Sequence, residues 1–165
     1  MPIHHVSEAR HLGFTQIVKE LAEQCIIYFG EEIRKAKSGI ANGSCCACVK
    51  LNAPATDGYP DYRFGNSQAR HLDYDVVDHG GLFNPDNHAE RVAHAAAGAG
   101  MYGDHLFVEL PPCTIGNNSC AQWCNQNIPN IHVWYLYYDT KAMEVAHSQG
   151  TEYQRDLLTQ ALWGA

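Results

Sequence analysis

The sequence predicts an α/β protein, a three-layer fold with a central mixed sheet of about five strands flanked by helices. Three observations predict it. The chain has 165 residues, 45% apolar and 18% charged, which suits a single hydrophobic core. Stretches with helical periodicity alternate with short apolar runs of strand type. Gly- and Pro-containing breakers separate them, and no internal repeat or long linker divides the chain. Residues 1–165 are therefore expected to form one domain.

Residues 8–37 read as a long helix. Leu12, Phe14, Ile17, Val18, Leu21, Cys25, Tyr28 and Ile33 recur at three- and four-residue steps, with Lys19, Glu20, Glu23 and Glu32 between them. Gly30 is a candidate kink, and Ser38–Gly39 closes the helix behind Arg34, Lys35 and Lys37. Residues 44–51 form a Cys- and Val-rich buried strand, 52–60 a turn, and 62–66 the returning strand. The polar stretch 71–87 reads as a loop, with room for a piece of strand at 75–77. Helix resumes over 88–99, where Pro85, Asp86 and Asn87 give N-terminal punctuation and alanines follow. Residues 105–110 read as a strand stopped by Pro111–Pro112, and 120–127 as a short helix capped by Ser119. Residues 131–138 carry the strongest strand signal. A turn at 139–141 is expected to fold 143–147 back as the second arm of an antiparallel hairpin, before a closing helix over 152–163.

Charge bears on function. The net charge is −7, and its distribution is uneven: residues 1–70 hold 8 Lys+Arg against 7 Asp+Glu, and residues 71–165 hold 3 against 11. The basic surface usual for non-specific nucleic-acid binding is absent. No run of about 18 apolar residues predicts a membrane span, and the N-terminus lacks the basic and apolar blocks of a signal peptide. Seven unevenly clustered cysteines fit reduced thiols or metal ligands better than a disulfide framework.

The chemistry concentrates in two places, each where a helix should begin. The first is His88-Ala89-Glu90 and the second is Pro112-Cys113 with a further cysteine downstream. One imidazole and two thiolates supply three ligands of a tetrahedral zinc shell and leave the fourth position open for water. Helix N-termini favour thiolate through their unpaired amides. Glu90 is too near His88 to be a comfortable ligand in the same turn, but it can reach that water and exchange protons with it. The order H-x-E, then P-C-x-x-C, is the signature of zinc nucleobase deaminases.

NHAERVA (87–93) followed by ELPPCTIGNNSC (109–120) thus resembles the cytidine-deaminase-like superfamily, as does the element order over about residues 8–147. The resemblance implies that His88 and two cysteines bind zinc, that Glu90 moves protons, and that the backbone at Ala89 and Pro112 contacts the base. It places Asn66 where the second strand meets the pocket. The turn after Tyr138 resembles the branch whose last two strands are antiparallel. Size, and the lack of a nucleoside-enzyme signature around residues 45–66, resemble the deaminase domains of bacterial polymorphic toxins. That likeness implies cytosine in DNA or RNA, single- or double-stranded, as substrate. It admits an immunity protein as partner, and the cytoplasm, the chain's own or a target cell's, as the place of action. Free cytidine as substrate, and a non-catalytic zinc-stabilised binding module, are the alternatives.

One departure stands out. The usual second cysteine follows after two residues, whereas here Cys120 follows Cys113 after six. Cys120 leaves room for the helix before the strand at Ile131, and Cys124 leaves less. Cys113 with Cys120 is the favoured pair, and Cys120 with Cys124, one helical turn apart, the competitor. Cys45, Cys46 and Cys48 invite a second metal site but read better as buried thiols. Trp123, just after the metal loop, is a candidate for stacking on the base, ahead of Trp134, Tyr135, Tyr137 and Tyr138, whose strand suits a core. His94 and His105 read as structural or surface residues, His4 and His5 as an untidy terminus, and Arg63 and Arg70 mostly as solvated charge.

Overall fold

The computed structural model describes residues 3–28, 45–55, 61–67, 88–112 and 120–164. In chain order these form β1 (Ile3–His5), α1 (Ala9–Leu12), α2 (Thr15–Tyr28), β2 (Cys46–Leu51), β3 (Tyr62–Asn66), α3 (Ala89–Ala97), β4 (Tyr102–Val108), α4 (Cys120–Asn127), β5 (His132–Tyr135), α5 (Thr140–Gln149) and α6 (Thr151–Trp163). The protein is α/β, with one five-stranded mixed sheet in the order β1-β5-β4-β2-β3 and six α-helices among the described residues. β2 runs antiparallel to β3 and β4, while β5 runs parallel to both β4 and β1.

Strand alternation separates the two cores. Cys46, Cys48, Phe64, Phe107 and Trp134 face the side covered by α2, α5 and α6. Ala47, Val49, Leu106, Val108 and Val133 face α3 and α4. Gly65 of β3 lies under α3 so closely that a Cβ there would stand 2.1 Å from the Ala89 carbonyl oxygen and 2.4 Å from the Ala93 nitrogen. That glycine lets the helix bearing His88 and Glu90 rest directly on the sheet.

Several expectations need correction. The N-terminal helix is broken at Gly13, whose φ of 80° is left-handed. A 3-10 turn, Val6–Glu8, and α1 precede the break. Gly30 and the predicted closure at 38–39 lie outside the described residues, as do the loop 71–87 and its strand.

The antiparallel hairpin at the C-terminal side of the sheet does not form. Residues 143–147 belong to α5. Met143, Ala146 and His147 are buried at helical spacing, while Val145, which strand alternation would bury with them, is 45% exposed. Asp139 starts this helix by accepting a hydrogen bond from the Ala142 nitrogen at 2.8 Å.

The place beside β5 is filled by β1, pairing Ile3 with Val133 and His5 with Tyr135 in parallel. The supposedly untidy terminus is thus an edge strand. His4 Nε2 meets His132 Nδ1 at 3.1 Å, and His5 Nε2 meets the Leu136 carbonyl oxygen at 2.9 Å. Arg63 is buried rather than solvated, and donates to the Tyr62 carbonyl at 2.8 Å. Among the described residues no helix is long and apolar enough to cross a membrane.

Candidate metal centre

His88 is the N-cap of α3, with extended backbone angles (φ −94°, ψ 134°), and its carbonyl accepts the first helical bond from Val92. Its ring makes no capping bond to the helix. Glu90 falls in the first turn of the same helix, where the macrodipole favours a carboxylate. Cys120 is the first residue of α4. Two helix N-termini therefore converge, and one ligand atom each from His88, Glu90 and Cys120 lies within 4.8 Å of the other two.

This is the one such metal-capable group among the described residues. Imidazole, thiol and carboxylate form a borderline donor set that suits zinc. Glu90 is 4% exposed, and its Oε1 is buried with no hydrogen-bond partner among the described residues. A buried carboxylate oxygen without a partner costs free energy, and a cation or its water would remove that cost. On that observation the residues fit a metal cation, and their donor set is compatible with zinc.

The cavity beside them holds about 220 Å³ and is lined by Cys45, Ser67, His88, Ala89, Glu90, Leu110, Pro111 and Cys120. It lies at the end of the sheet where β3 and β4 finish and β2 begins. Below the roughly 300–1,000 Å³ of drug-sized ligand sites, it suits a fragment such as a single base. A larger groove of about 710 Å³ lies between the exit of β5, α5 and α6, away from the metal-capable group.

The structure sorts the sequence candidates. His88, Glu90 and Cys120 come together, and Ala89 lines the cavity. Cys113 lies outside the described residues. Cys124 is fully buried in the α3–α4 core and is not one of the three residues of the metal-capable group. Pro112 is buried, and its neighbour Pro111 takes the lining position. Asn66 ends β3 and Ser67 follows it into the cavity wall. Trp123 turns towards α3: the Arg91 guanidinium lies 5.6 Å from its ring centre, and the His94 ring packs edge-on at 5.2 Å.

Of the aromatic strand, Trp134 and Tyr137 are core residues, while Tyr138 is exposed and stacks on His5 at 4.5 Å. His94 and His105 hold structural bonds, to the Tyr102 hydroxyl at 2.8 Å and from Trp134 Nε1 at 3.0 Å. Cys46 and Cys48 share a core face with Cys25, whose sulfur is 3.3 Å from that of Cys46. Burial pushes the Cys25 thiol well up, which keeps it protonated and a poor metal ligand.

Sequence reading did not place Cys45 or Ser67 at this site. They meet because Ser67 N donates to the Cys45 carbonyl at 2.9 Å and Cys45 N donates to Ser67 Oγ at 3.0 Å. Burial first, and then the nearby Glu109 carboxylate, raise the Cys45 thiol well above its usual range, so it lines the wall as a neutral group. Comparison with protein-family models, with curated proteins and with solved structures gives no match to this chain.

Proposed function

We propose that the chain is a zinc-dependent hydrolytic deaminase of the cytidine-deaminase-like kind, converting cytosine to uracil, with cytosine in DNA or RNA as the first substrate class. The observation that carries the reading is the buried Glu90 Oε1, without a hydrogen-bond partner among the described residues, inside the His88–Glu90–Cys120 cluster at two helix N-termini. A purely structural metal site has no need of that carboxylate. His88, Cys120 and Cys113 would hold the zinc. When bound, zinc supplies the Lewis acidity that makes water a nucleophile near neutral pH.

The chain's own residues do the rest. Glu90 takes a proton from the water that attacks C4 and gives it to ring nitrogen N3. It then takes the hydroxyl proton of the tetrahedral adduct and gives it to the amine. The C4–N bond breaks and ammonia leaves, so that water and cytosine balance ammonia and uracil. Ala89, Leu110 and Pro111 form walls against which one planar ring would be held. The low dielectric of a buried site strengthens each of these polar interactions.

The acidic bias of residues 71–165 favours a second reading, free cytidine as substrate, since a polyanion gains nothing from that half of the chain. Zinc-loaded protein offered single-stranded DNA, duplex DNA, RNA and cytidine in parallel decides between them. Uracil in a polymer, absent with Glu90→Ala, is expected. Turnover of cytidine alone would replace the first reading by the second. Stable zinc binding with no turnover of any base would leave a non-catalytic zinc-stabilised module.

A further inference from the structure

In an antiparallel hydrogen-bonded pair, two residues exchange both N–H···O=C bonds, so the N–H and C=O of each point to the same neighbour. The β2–β4 ladder runs Val49–Leu106, Cys48–Phe107, Ala47–Val108, and the next pair is Cys46 with Glu109. Half of that pair is regular: Glu109 N donates to the Cys46 carbonyl at 2.9 Å. The other half is not. The Glu109 carbonyl turns the opposite way and accepts from Leu136 N at 3.3 Å and Tyr137 N at 2.9 Å, at the exit of β5. Cys46 N donates instead to the side-chain Oε1 of Glu109 at 3.0 Å. A carboxylate stands in for a backbone carbonyl, and the chain leaves the sheet there.

The other carboxylate oxygen is held from α5. His147 Nε2 lies 2.6 Å from Glu109 Oε2, and both side chains are buried. An ionised carboxylate only accepts, so the ring nitrogen carries the proton. Charge-assisted bonds of this length are strong, and they fix both partners. The residues on either side of this clamp are the two walls of the candidate site. Cys45 precedes Cys46 in the wall formed by β2, and Leu110–Pro111 follow Glu109 in the wall formed by β4.

We propose that Glu109, fixed by His147, is a positioning residue that sets the separation of the Cys45 wall from the Leu110–Pro111 wall, and so the fit of the base. The inference rests on the deaminase reading above. His88, Glu90 and Cys120 stand on α3 and α4, outside the two segments that the clamp joins. Loss of the clamp should therefore weaken base binding more than it slows chemistry, a split that mere instability would not produce.

The test uses zinc-loaded wild type, Glu109→Met, which keeps length without an acceptor, and Glu109→Gln. The glutamine restores both bonds, its oxygen to Cys46 N and its amide to His147 Nε2 with the ring proton moved to Nδ1. Amide hydrogen exchange and steady-state kinetics on the substrate turned over by the wild type are the readouts. Glu109→Met should speed exchange at Cys46 at least about tenfold while the α3 amides stay protected. It should raise KM about tenfold with kcat within about threefold. Glu109→Gln should return both to within about threefold of wild type. Unchanged Cys46 exchange, or a KM unchanged in an active Glu109→Met protein, overturns the positioning role alone. A wild type inactive on every base overturns the deaminase reading and this role with it. If Glu109→Met does not fold, Glu109→Gln decides: wild-type exchange and KM support the clamp, and a loss of both contradicts it.

Discussion

At the scale of the residue, Glu90 carries an unusual burden. Its carboxylate is buried at the start of α3, and one of its oxygens has no hydrogen-bond partner among the described residues. Such an arrangement costs about 1–3 kcal/mol unless a further group completes it. Glu90→Gln removes a charge from that position. The metal-free variant should be more stable than metal-free wild type by about 1 kcal/mol, read from urea denaturation midpoints, because residues kept for function are often unfavourable for folding. The two rival cysteines separate by the same logic. Cys120→Ala should abolish tight zinc binding, measured by metal content after chelation. Cys124→Ala should keep the metal and cost about 1 kcal/mol of core packing. His88, Glu90 and Cys120 were legible in the sequence because their spacing and their position at helix starts are local properties. Cys45 and Ser67 were not, because strand register alone makes them neighbours. Trp123 read as a stacking residue from its nearness to the metal loop, but the phase of α4 directs it to Arg91 and His94.

At the scale of the element, the path from sequence to site runs through β3 and α3. Gly65 permits a helix–sheet approach that no other residue allows. Gly65→Ala must displace the backbone of α3, and with it His88 and Glu90. Overpacking of this kind costs about 1–3 kcal/mol, and backbone contact puts it at the upper end. The expected result is a lowered Tm together with weakened zinc binding, whereas a small-residue change elsewhere in the sheet would lower Tm alone. α5 offers a simpler check. Asp139→Ala removes the cap bond to Ala142 and should cost about 1 kcal/mol in a denaturation curve, with zinc binding intact. The β3 strand and α4 helix were legible at their full extents, β3 from the Pro-, Asp- and Gly-containing turn at 52–60 before it and α4 from the capping type of Ser119 in the sequence. α5 was not. Met143, Val145 and His147 satisfy an alternating pattern as readily as a helical one, and the hairpin reading left no role for the N-terminus. β1 was invisible for another reason: three residues carry no periodicity, and a parallel partnership with β5 across almost the whole chain leaves no local trace.

At the scale of the whole molecule, three histidines make stability depend on pH. Burial lowers His94, and lowers His4 and His105, which lie near His132 where β1, β5 and β4 meet. Glu8 and Asp104 face this cluster and offset part of the effect on His4 and His105 respectively. The unfolded chain protonates these rings at about 6.5, and the folded chain only at lower pH. The unfolded state then binds more protons in that window, so stability is full above about pH 6.5 and falls as pH drops towards the folded values. A lower urea midpoint at pH 5 than at pH 8 is expected. Glu20, held below the usual carboxylate range by its bonds to Lys50 and Tyr62, adds its own loss only at more acid pH. The sheet whose β1 and β4 strands carry His4 and His105 also carries the metal-capable cluster, at the end where β4 finishes, so the fold and the proposed chemistry share one frame. The most direct measurement compares uracil formation by zinc-loaded wild type and zinc-loaded Glu90→Gln at matched metal content. A rate at least about 10²-fold lower in the variant, with zinc retained, is the result expected of a proton-transfer residue. Equal rates in the two proteins, or no uracil from either, would contradict the assignment of Glu90 and the deaminase it defines.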